Sequence, residues 1–203
     1  MPRTRAKPYH HGDLKAALVD GAVAMISERG ARGFSLAELS RRLGVTVGAP
    51  YRHFADRDAL LAAVAVRTLQ TFAEALAAHS PDTDPPEQRL AAMAAAYVRF
   101  AAEQPALFDV VFGMSLDKKA RHPELRQAYE EVEEMIETSV AGLCPADPEA
   151  AERLSDAIEA TAHGYAALLT DHPGGPDPGD VDRASEQAGR AVRALIKGRS
   201  ALG

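Results

Sequence analysis

The sequence predicts an all-α protein of about nine helices, in which an N-terminal three-helix helix-turn-helix domain precedes a larger helical domain. Apolar residues recur at three- and four-residue spacing along most of the 203 residues, as a buried helix face requires. Prolines and glycines gather between these periodic segments, notably at 80–86 and 172–179. No convincing alternating apolar run of the strand type occurs. These three observations predict helices joined by short loops.

Capping residues delimit the first two helices. A helix is expected over about 12–29, and Gly30 closes it. Ser35 and Glu38 form a capping box, since the hydroxyl can accept from the Glu38 amide while the carboxylate reaches back to the Ser35 amide. A second helix therefore begins after Ser35 and ends at Gly44, which supplies left-handed backbone.

The segment after Gly44 predicts the recognition helix of a helix-turn-helix. Thr46 can cap this helix, and its exposed first residues would enter the major groove of double-stranded DNA. Pro50 lies four residues later, where its missing amide removes the first intrahelical hydrogen bond. We therefore expect a distorted or 3₁₀-like start.

The remaining helices are expected to begin at acidic caps or at prolines, which tolerate a missing amide at the first helical position. They are predicted at 56–79, 86–103, 105–112, 123–143, 147–170 and 180–197. Segment 113–122 is predicted to be a polar loop. The glutamates of the fourth of these helices are expected on a solvated face, at Glu130, Glu131, Glu133, Glu134 and Glu137.

Three domains are expected: a flexible basic arm at 1–11, a helix-turn-helix domain at 12–56 and a helical effector-binding and dimerisation domain at 57–203. Residues 1–60 hold ten Lys or Arg against six Asp or Glu, whereas the remainder is acidic. The basic N-terminal part is suited to binding DNA phosphates, whereas the acidic remainder repels DNA and keeps non-specific binding weak. The arm either reaches a minor groove or is a solvated tail.

Several motifs around the helix-turn-helix together resemble the TetR-type one-component transcriptional regulators. They are Glu28-Arg-Gly30, Phe34-Ser35, Leu39-Ser-Arg-Arg-Leu-Gly-Val45 and Tyr51-Arg-His-Phe54, the last followed by Ala55-Asp-Arg-Asp-Ala-Leu-Leu61. The departure is Gly48-Ala-Pro50, where most relatives carry an ordinary helix former. The resemblance implies a homodimer that binds a palindromic DNA operator, acts as a repressor and is released by a small effector.

The C-terminal part resembles a subgroup of that family named for a Trp-His-Gly signature. The similarity lies in the segments 97–108 and Ala162-His163-Gly164, but the chain contains no tryptophan. That departure weakens any ligand inferred from the subgroup. His163 falls near the inward face of a helix, where it is either a satisfied core residue or a ligand contact.

Seven residues are candidates for DNA contact. Thr46 and Val47 would face base edges, where a valine offers only apolar contact. Phosphate contacts are expected from Ser35, Tyr51, His53 and Arg57, with Gly48 beside them. Tyr51 could also be half core.

Inward-facing aromatic residues predict either an effector pocket or a solid core. The pocket would be lined by Phe72, Met93, Tyr97, Phe100, Phe108, Phe112, Tyr129, His163 and Tyr165. Few polar groups are among them, so a largely apolar, uncharged or weakly acidic effector is expected. The last two helices would pair with their copies in a dimer through Ile158, Tyr165, Leu169, Ala184, Ala188, Ala191 and Leu195.

The sequence gives less support to other classes of function. A helical enzyme or carrier would need a catalytic, metal or phosphate-loop constellation, and none stands at working spacing, so no catalytic residue, metal or cofactor is expected. The acidic body argues against an architectural protein that binds DNA without sequence preference. No signal-peptide core or run of eighteen apolar residues occurs, and Cys144 is the single cysteine. A cytoplasmic protein without a membrane partner is therefore expected.

Overall fold

The computed structural model describes residues 11–171 and 174–202, so all of the expected basic arm except His11 lies outside the described residues. Within them the chain forms α-helices and short 3₁₀ turns and no strand, which confirms the all-α fold. The helices are α1 (His11–Arg29), α2 (Leu36–Leu43), α3 (Arg57–His79), α4 (Pro86–Glu103), α5 (Pro105–Phe112), α6 (Leu116–Ala120), α7 (Pro123–Ala141), α8 (Pro148–Thr170) and α9 (Pro178–Lys197). The 3₁₀ turns are Ala31–Gly33, Pro50–Arg52 and Arg199–Ala201.

Helix starts follow the capping rules. A proline occupies the first turn of α4, α5, α7, α8 and α9, where its missing amide costs no intrahelical hydrogen bond. Asp56 accepts from the Ala59 amide at 2.8 Å, and Asp147 accepts from the Ala150 amide at 2.9 Å. These local interactions explain why most boundaries agree with those expected from the sequence.

Four features differ from expectation. Helix α7 ends at Ala141 rather than at 143. The recognition helix is absent as an α-helix, and the 3₁₀ turn Pro50–Arg52 stands in its place. Segment 113–122 is not all loop, because α6 forms within it. Helix α9 begins at Pro178 rather than at 180, because Asp177 accepts from the Asp180 amide at 2.9 Å and caps the helix earlier.

Two groups of helices share α3. The head, which comprises α1, α2 and the chain up to Asp56, packs against the start of α3. The remainder of α3 packs against α4 and α7, and α8 and α9 complete the body by packing on α4. Within the described residues, α3 is the one helix long and apolar enough to cross a membrane by length and composition. Its buried face, however, packs against α1, α4, α5 and α7, as a core helix does.

The body is built around α4, which packs most extensively on α9. A Cβ atom at Gly189 of α9 would lie 2.9 Å from the Ala91 carbonyl oxygen, so only glycine permits this approach. This packing corrects part of the expected dimer seam. Ile158, Leu169 and Ala188 are buried inside the protomer, whereas Tyr165, Ala184, Ala191 and Leu195 are half-buried and remain available for a seam.

Candidate nucleic-acid interface and ligand pocket

The turn after α2 is fixed by two local interactions. Ser35 Oγ accepts from the Glu38 amide at 3.2 Å, as the capping box requires. The Glu38 carboxylate does not complete the box, since it accepts from Arg29 Nη1 at 2.5 Å. Gly44 then adopts left-handed backbone with φ 69° and ψ 26°, which ends α2 and redirects the chain.

The tip of the head is the segment from Thr46 to Tyr51. Ala49 donates its amide to the Thr46 carbonyl at 2.9 Å, and the 3₁₀ turn follows at once. Thr46 therefore takes part through its carbonyl, and no side-chain cap forms at this 3₁₀ turn. Because Pro50 cannot donate an amide, the irregularity expected at the helix start extends over the whole segment.

The tip presents apolar side chains to solvent. Val47 is 54% exposed and Tyr51 is 55% exposed, and Thr46 and Gly48 are exposed beside them. His53 is half-buried, whereas Phe54 is buried in the core of the head. Tyr51 is therefore a surface residue, and its core alternative does not apply.

Arg57 contacts the segment between α1 and α2. Its Nη2 donates to the Ala31 carbonyl at 2.5 Å, its Nε donates to the Phe34 carbonyl at 3.4 Å, and its guanidinium lies 5.8 Å from the Phe34 ring centroid. These bonds to the protein's own backbone favour a structural role for Arg57 over the expected phosphate contact. Arg57 ties α3 to the segment between α1 and α2.

Other arginines of the head divide into two kinds. Arg42 donates to both carboxylate oxygens of Glu28, at 2.8 Å and 2.7 Å, and this hydrogen bonding lowers the pKa of Glu28. Arg41 and Arg52 are exposed and form no ion pair with any described residue. The sequence left Arg52 open between a DNA contact and a structural role. It did not place Arg41 among the DNA contacts, although Arg41 falls off the apolar face of α2.

A cavity of about 830 Å³ lies in the body, a size suited to a small molecule. It is bounded by α3, α4, α5, α7, α8 and the loop between the last two. Four of the nine expected residues line it, namely Phe72, Tyr97, Phe112 and Tyr129.

The other five expected residues lie elsewhere. Met93 and Phe100 are buried in the core, where Phe100 packs on Phe72 with ring centroids 5.0 Å apart. Phe108 and His163 border a separate open groove between α5 and α8, and Tyr165 lines neither space. Sequence periodicity identifies inward faces but does not show which side of a neighbouring ring a side chain occupies.

His163 has a hydrogen-bond partner in the core. Its Nδ1 and the Tyr97 hydroxyl are 2.9 Å apart, and its ring stacks on Phe108 at 5.6 Å. Tyr129 donates its hydroxyl to the Val111 carbonyl at 2.5 Å. Burial raises the pKa of both Tyr97 and Tyr129, so both phenols are neutral at physiological pH.

Carboxylates form one wall of the cavity. They are Glu133 and Glu137 of α7, with Glu152, Asp156 and Glu159 of α8. This wall corrects one expectation, since the pocket lining is not largely apolar. The α7 glutamates are exposed, as expected, and two of them also border the cavity. The signal was present, because Glu133 and Glu137 share three- and four-residue spacing with Tyr129, Val132, Ile136 and Val140.

The carboxylates act on one another and on Lys119 of α6. Partial burial, followed by the negative charges of Glu159, Glu137 and Glu130, raises the pKa of Glu133. Lys119 Nζ opposes these charges and lies 4.1 Å from the centroid of the Tyr129 ring. The described residues contain no group of three His, Cys, Asp or Glu side chains able to hold a metal ion.

Two family models match the sequence. Residues 18–64 match a model described as "Bacterial regulatory proteins, tetR family", and residues 90–195 match one described as "Tetracyclin repressor-like, C-terminal domain". The HTH-type transcriptional regulator YobS of Bacillus subtilis is 30% identical over 108 residues, which are 53% of this chain and 56% of that protein. The match thus spans about half the length of this curated relative.

Solved structures share the whole fold. A protein of unknown function from Rhodococcus sp. RHA1 superimposes with a TM-score of 0.74 at 28% identity, covering 93% of this chain and 98% of that one. The TetR family regulator PfmR of Thermus thermophilus gives a TM-score of 0.59 at 18% identity, over 88% of this chain and 96% of that one. The second likeness shows the fold alone.

Proposed function

Because the chain belongs to the TetR family of DNA-binding helix-turn-helix transcriptional regulators, we propose that it is a cytoplasmic homodimeric repressor. It binds a palindromic operator through the tips of two heads and is released when a small molecule occupies the cavity of the body. The tip recognises DNA, and the cavity binds the small molecule that controls DNA binding. Neither function needs catalytic chemistry.

At the tip, Thr46 and Val47 contact base edges, and Gly48 lets the DNA backbone approach closely. A Cβ at Gly48 would have no atom of residues 11–171 or 174–202 within 4 Å, so packing among these residues does not require the glycine. Ser35, Tyr51 and His53 contact phosphates, and the exposed Arg41 and Arg52 join them in place of Arg57. Phosphate contacts set register, and base contacts set sequence preference.

The observation that carries the control function is the position of α3. Its first residue, Arg57, is bonded to the head, and Phe72 of the same helix lines the cavity. Fifteen residues of helix separate them by about 22 Å. A ligand that shifts α3 therefore moves the head, by as much as its differential affinity for the two arrangements allows.

A dimer is expected because one head alone is too small to recognise DNA specifically. One head offers few base contacts, so two heads on half-sites roughly 34 Å apart are needed for useful specificity. The seam consists of the half-buried faces of α8 and α9, including Tyr165, Ala184, Ala191 and Leu195. A charge in this seam, as in Leu195→Asp, is expected to yield monomers in analytical ultracentrifugation at micromolar concentration.

The proposal is tested by selecting DNA from a random library with the purified protein. A two-fold symmetric consensus, bound with steep salt dependence by wild type and poorly by Leu195→Asp, is the expected result. Enrichment of no sequence over random DNA, at any salt concentration that permits binding, would leave a helical small-molecule-binding protein instead. Thermal unfolding of the variant serves as the folding control.

A further inference from the structure

Helix α6 carries two adjacent lysines that reach in different directions. Lys119 is half-buried, and its Nζ lies over the Tyr129 ring at the edge of the cavity. Lys118 Nζ lies 2.8 Å from Asp58 Oδ2, in the first turn of α3. Since Asp58 follows Arg57, which holds the head, this short helix contacts both the ligand cavity and the base of the head.

The cavity has the chemistry of a cation site. Its lining combines four aromatic rings with five carboxylates, and no Lys, Arg or His side chain of the described part of the chain is among the lining residues. An aromatic face attracts a cation through its quadrupole, and the carboxylates, which belong to exposed residues, add an attraction screened by solvent. An anionic ligand in the same place would meet repulsion from Glu133 and Glu159. The lining therefore distinguishes ligands by charge as well as by shape.

Lys119 already places one positive charge beside the aromatic and acidic lining of the cavity. Its ammonium lies over Tyr129. Burial lowers the pKa of Lys119, and the negative charges of Glu159 and Glu133 act in the opposite direction and favour its protonated form. The Tyr129 ring is itself held in place, because its hydroxyl donates to the Val111 carbonyl. The chain thus supplies one cation from a short, exposed helix to the rim of an otherwise negative cavity.

We propose that the cavity binds a drug-sized organic cation, an aromatic or alkylated onium or amidinium, whose charge replaces Lys119 Nζ over Tyr129. Displacement of Lys119 shifts α6, which loosens the contact of Lys118 with Asp58 and frees the base of the head to reorient. This inference rests on the proposed function, that of a regulator released by a ligand. It names the ligand class and identifies α6 as the helix that moves when the ligand binds.

Charge selectivity is tested with two probes of nearly equal size and shape, tetraphenylphosphonium and tetraphenylborate. Isothermal titration calorimetry is expected to show the phosphonium binding at least about tenfold more tightly than the borate. Cys144, the single cysteine, lines the cavity, so its reaction with a thiol reagent should slow in the presence of the phosphonium. Equal affinities, or displacement of the phosphonium by millimolar magnesium or calcium, would overturn the inference.

The role of Lys119 is tested against its neighbour, because Lys119→Met and Lys118→Met change the net charge equally. Lys119→Met removes the built-in competitor and is expected to tighten phosphonium binding about tenfold. Lys118→Met should leave that affinity within about twofold, because it lies outside the cavity. If both variants tighten binding equally, a general charge effect accounts for the change and the displacement step is wrong.

The effect of the phosphonium on DNA binding distinguishes a failure of the cation site from a failure of the proposed regulatory function. In wild type, saturating phosphonium is expected to raise the operator dissociation constant at least about tenfold. Lys118→Met should bind the phosphonium normally while this factor falls towards unity. A wild-type protein that binds a selected operator but prefers neither probe would refute the cation site and leave the regulator intact. A protein that selects no operator would refute the proposed function itself.

Discussion

The tip of the head and the cavity of the body are placed by different forces. The tip is set within about twenty residues by a serine cap, a left-handed glycine and a proline that cannot donate. The cavity is set by helices spread from Leu69 to Glu159, whose faces converge only through tertiary packing. The two regions also differ in charge, because Arg41 and Arg52 are exposed in the head while carboxylates line the cavity.

Local sequence patterns can therefore assign functional residues at the tip but not in the cavity. At the tip, neighbouring residues fix the backbone, so exposure follows from the motif. In the body, each side chain depends on distant partners, so the identity of the cavity wall depends on packing. Substitutions at the two regions should therefore differ in whether they change protein stability or DNA binding.

The largest expected effect comes from removing the tertiary attachment of the head. Arg57→Ala leaves two backbone carbonyls without their charged donor and should lower the free energy of unfolding by about 2–3 kcal/mol. Operator binding should fall with it. Arg52→Ala makes the same change of charge at an exposed residue, so it should weaken DNA binding while leaving the midpoint of thermal unfolding almost unchanged. Equal unfolding midpoints for the two variants would contradict the structural role of Arg57.

A matched pair of glycines probes the packing that shapes the body. Gly189→Ala should destabilise the protein by about 1–3 kcal/mol, because the new Cβ would lie 2.9 Å from the Ala91 carbonyl oxygen. Gly164→Ala, also within a helix, meets no atom within 4 Å and should stabilise the protein by roughly 0.5–1 kcal/mol. Chemical denaturation measures both, and a neutral Gly189→Ala would show that the α4–α9 contact can relax.

At the tip, two substitutions should differ in kind. Tyr51→Ala removes a phosphate contact and should lower affinity about equally for all DNA sequences. Thr46→Ala should change the preferred base at one position, by about 1–3 kcal/mol of discrimination. Repeated selection with each variant measures this. A new consensus for Tyr51→Ala, or an unchanged one for Thr46→Ala, would reverse the two assignments.

The smallest effect concerns the charge of the cavity wall. Because the pKa of Glu133 is raised above its ordinary 4.5, folding favours its protonated form, and stability falls as pH rises through the window between the two values. Glu133→Gln should therefore raise stability at pH 7, by less than about 0.5 kcal/mol after solvent screening, and should leave it unchanged below pH 4.

Phosphonium binding provides the opposite readout at Glu133. The same Glu133→Gln variant should weaken binding of the cation about fivefold at pH 7, since one attractive charge is lost. Glu124→Gln is the control, because Glu124 is exposed on α7 and does not line the cavity. A stabilised variant with unchanged cation affinity would place the ligand charge away from Glu133.

Much of the fold could be predicted because the signals are local. Prolines at helix starts, aspartate caps and Gly44 each act on the neighbouring backbone, so the corresponding boundaries agree with expectation. Helix α6 was missed because its five polar-rich residues show no periodicity, and Asp177 was overlooked as a cap because prolines surround it.

The candidate sites could be predicted less completely. The backbone hydrogen bonds of Arg57 could not be predicted, because its acceptors, Ala31 and Phe34, precede it by more than twenty residues and no local pattern indicates them. Ile158 and Ala188 were assigned to a dimer seam because a buried face looks the same whether its partner is within the chain or in another copy. The glutamates of α7 show that a polar residue on a helix face can belong to a cavity wall.

The central claim is that one chain carries two sites coupled through α3 and α6. The most direct measurement is a closed thermodynamic cycle, in which fluorescence anisotropy gives the operator dissociation constant with and without tetraphenylphosphonium, and calorimetry gives the phosphonium constant with and without operator. The account predicts that each ligand weakens the other by the same factor, about tenfold or more. Two constants that stay unchanged when the other ligand is present would show that the sites act independently and would contradict the account.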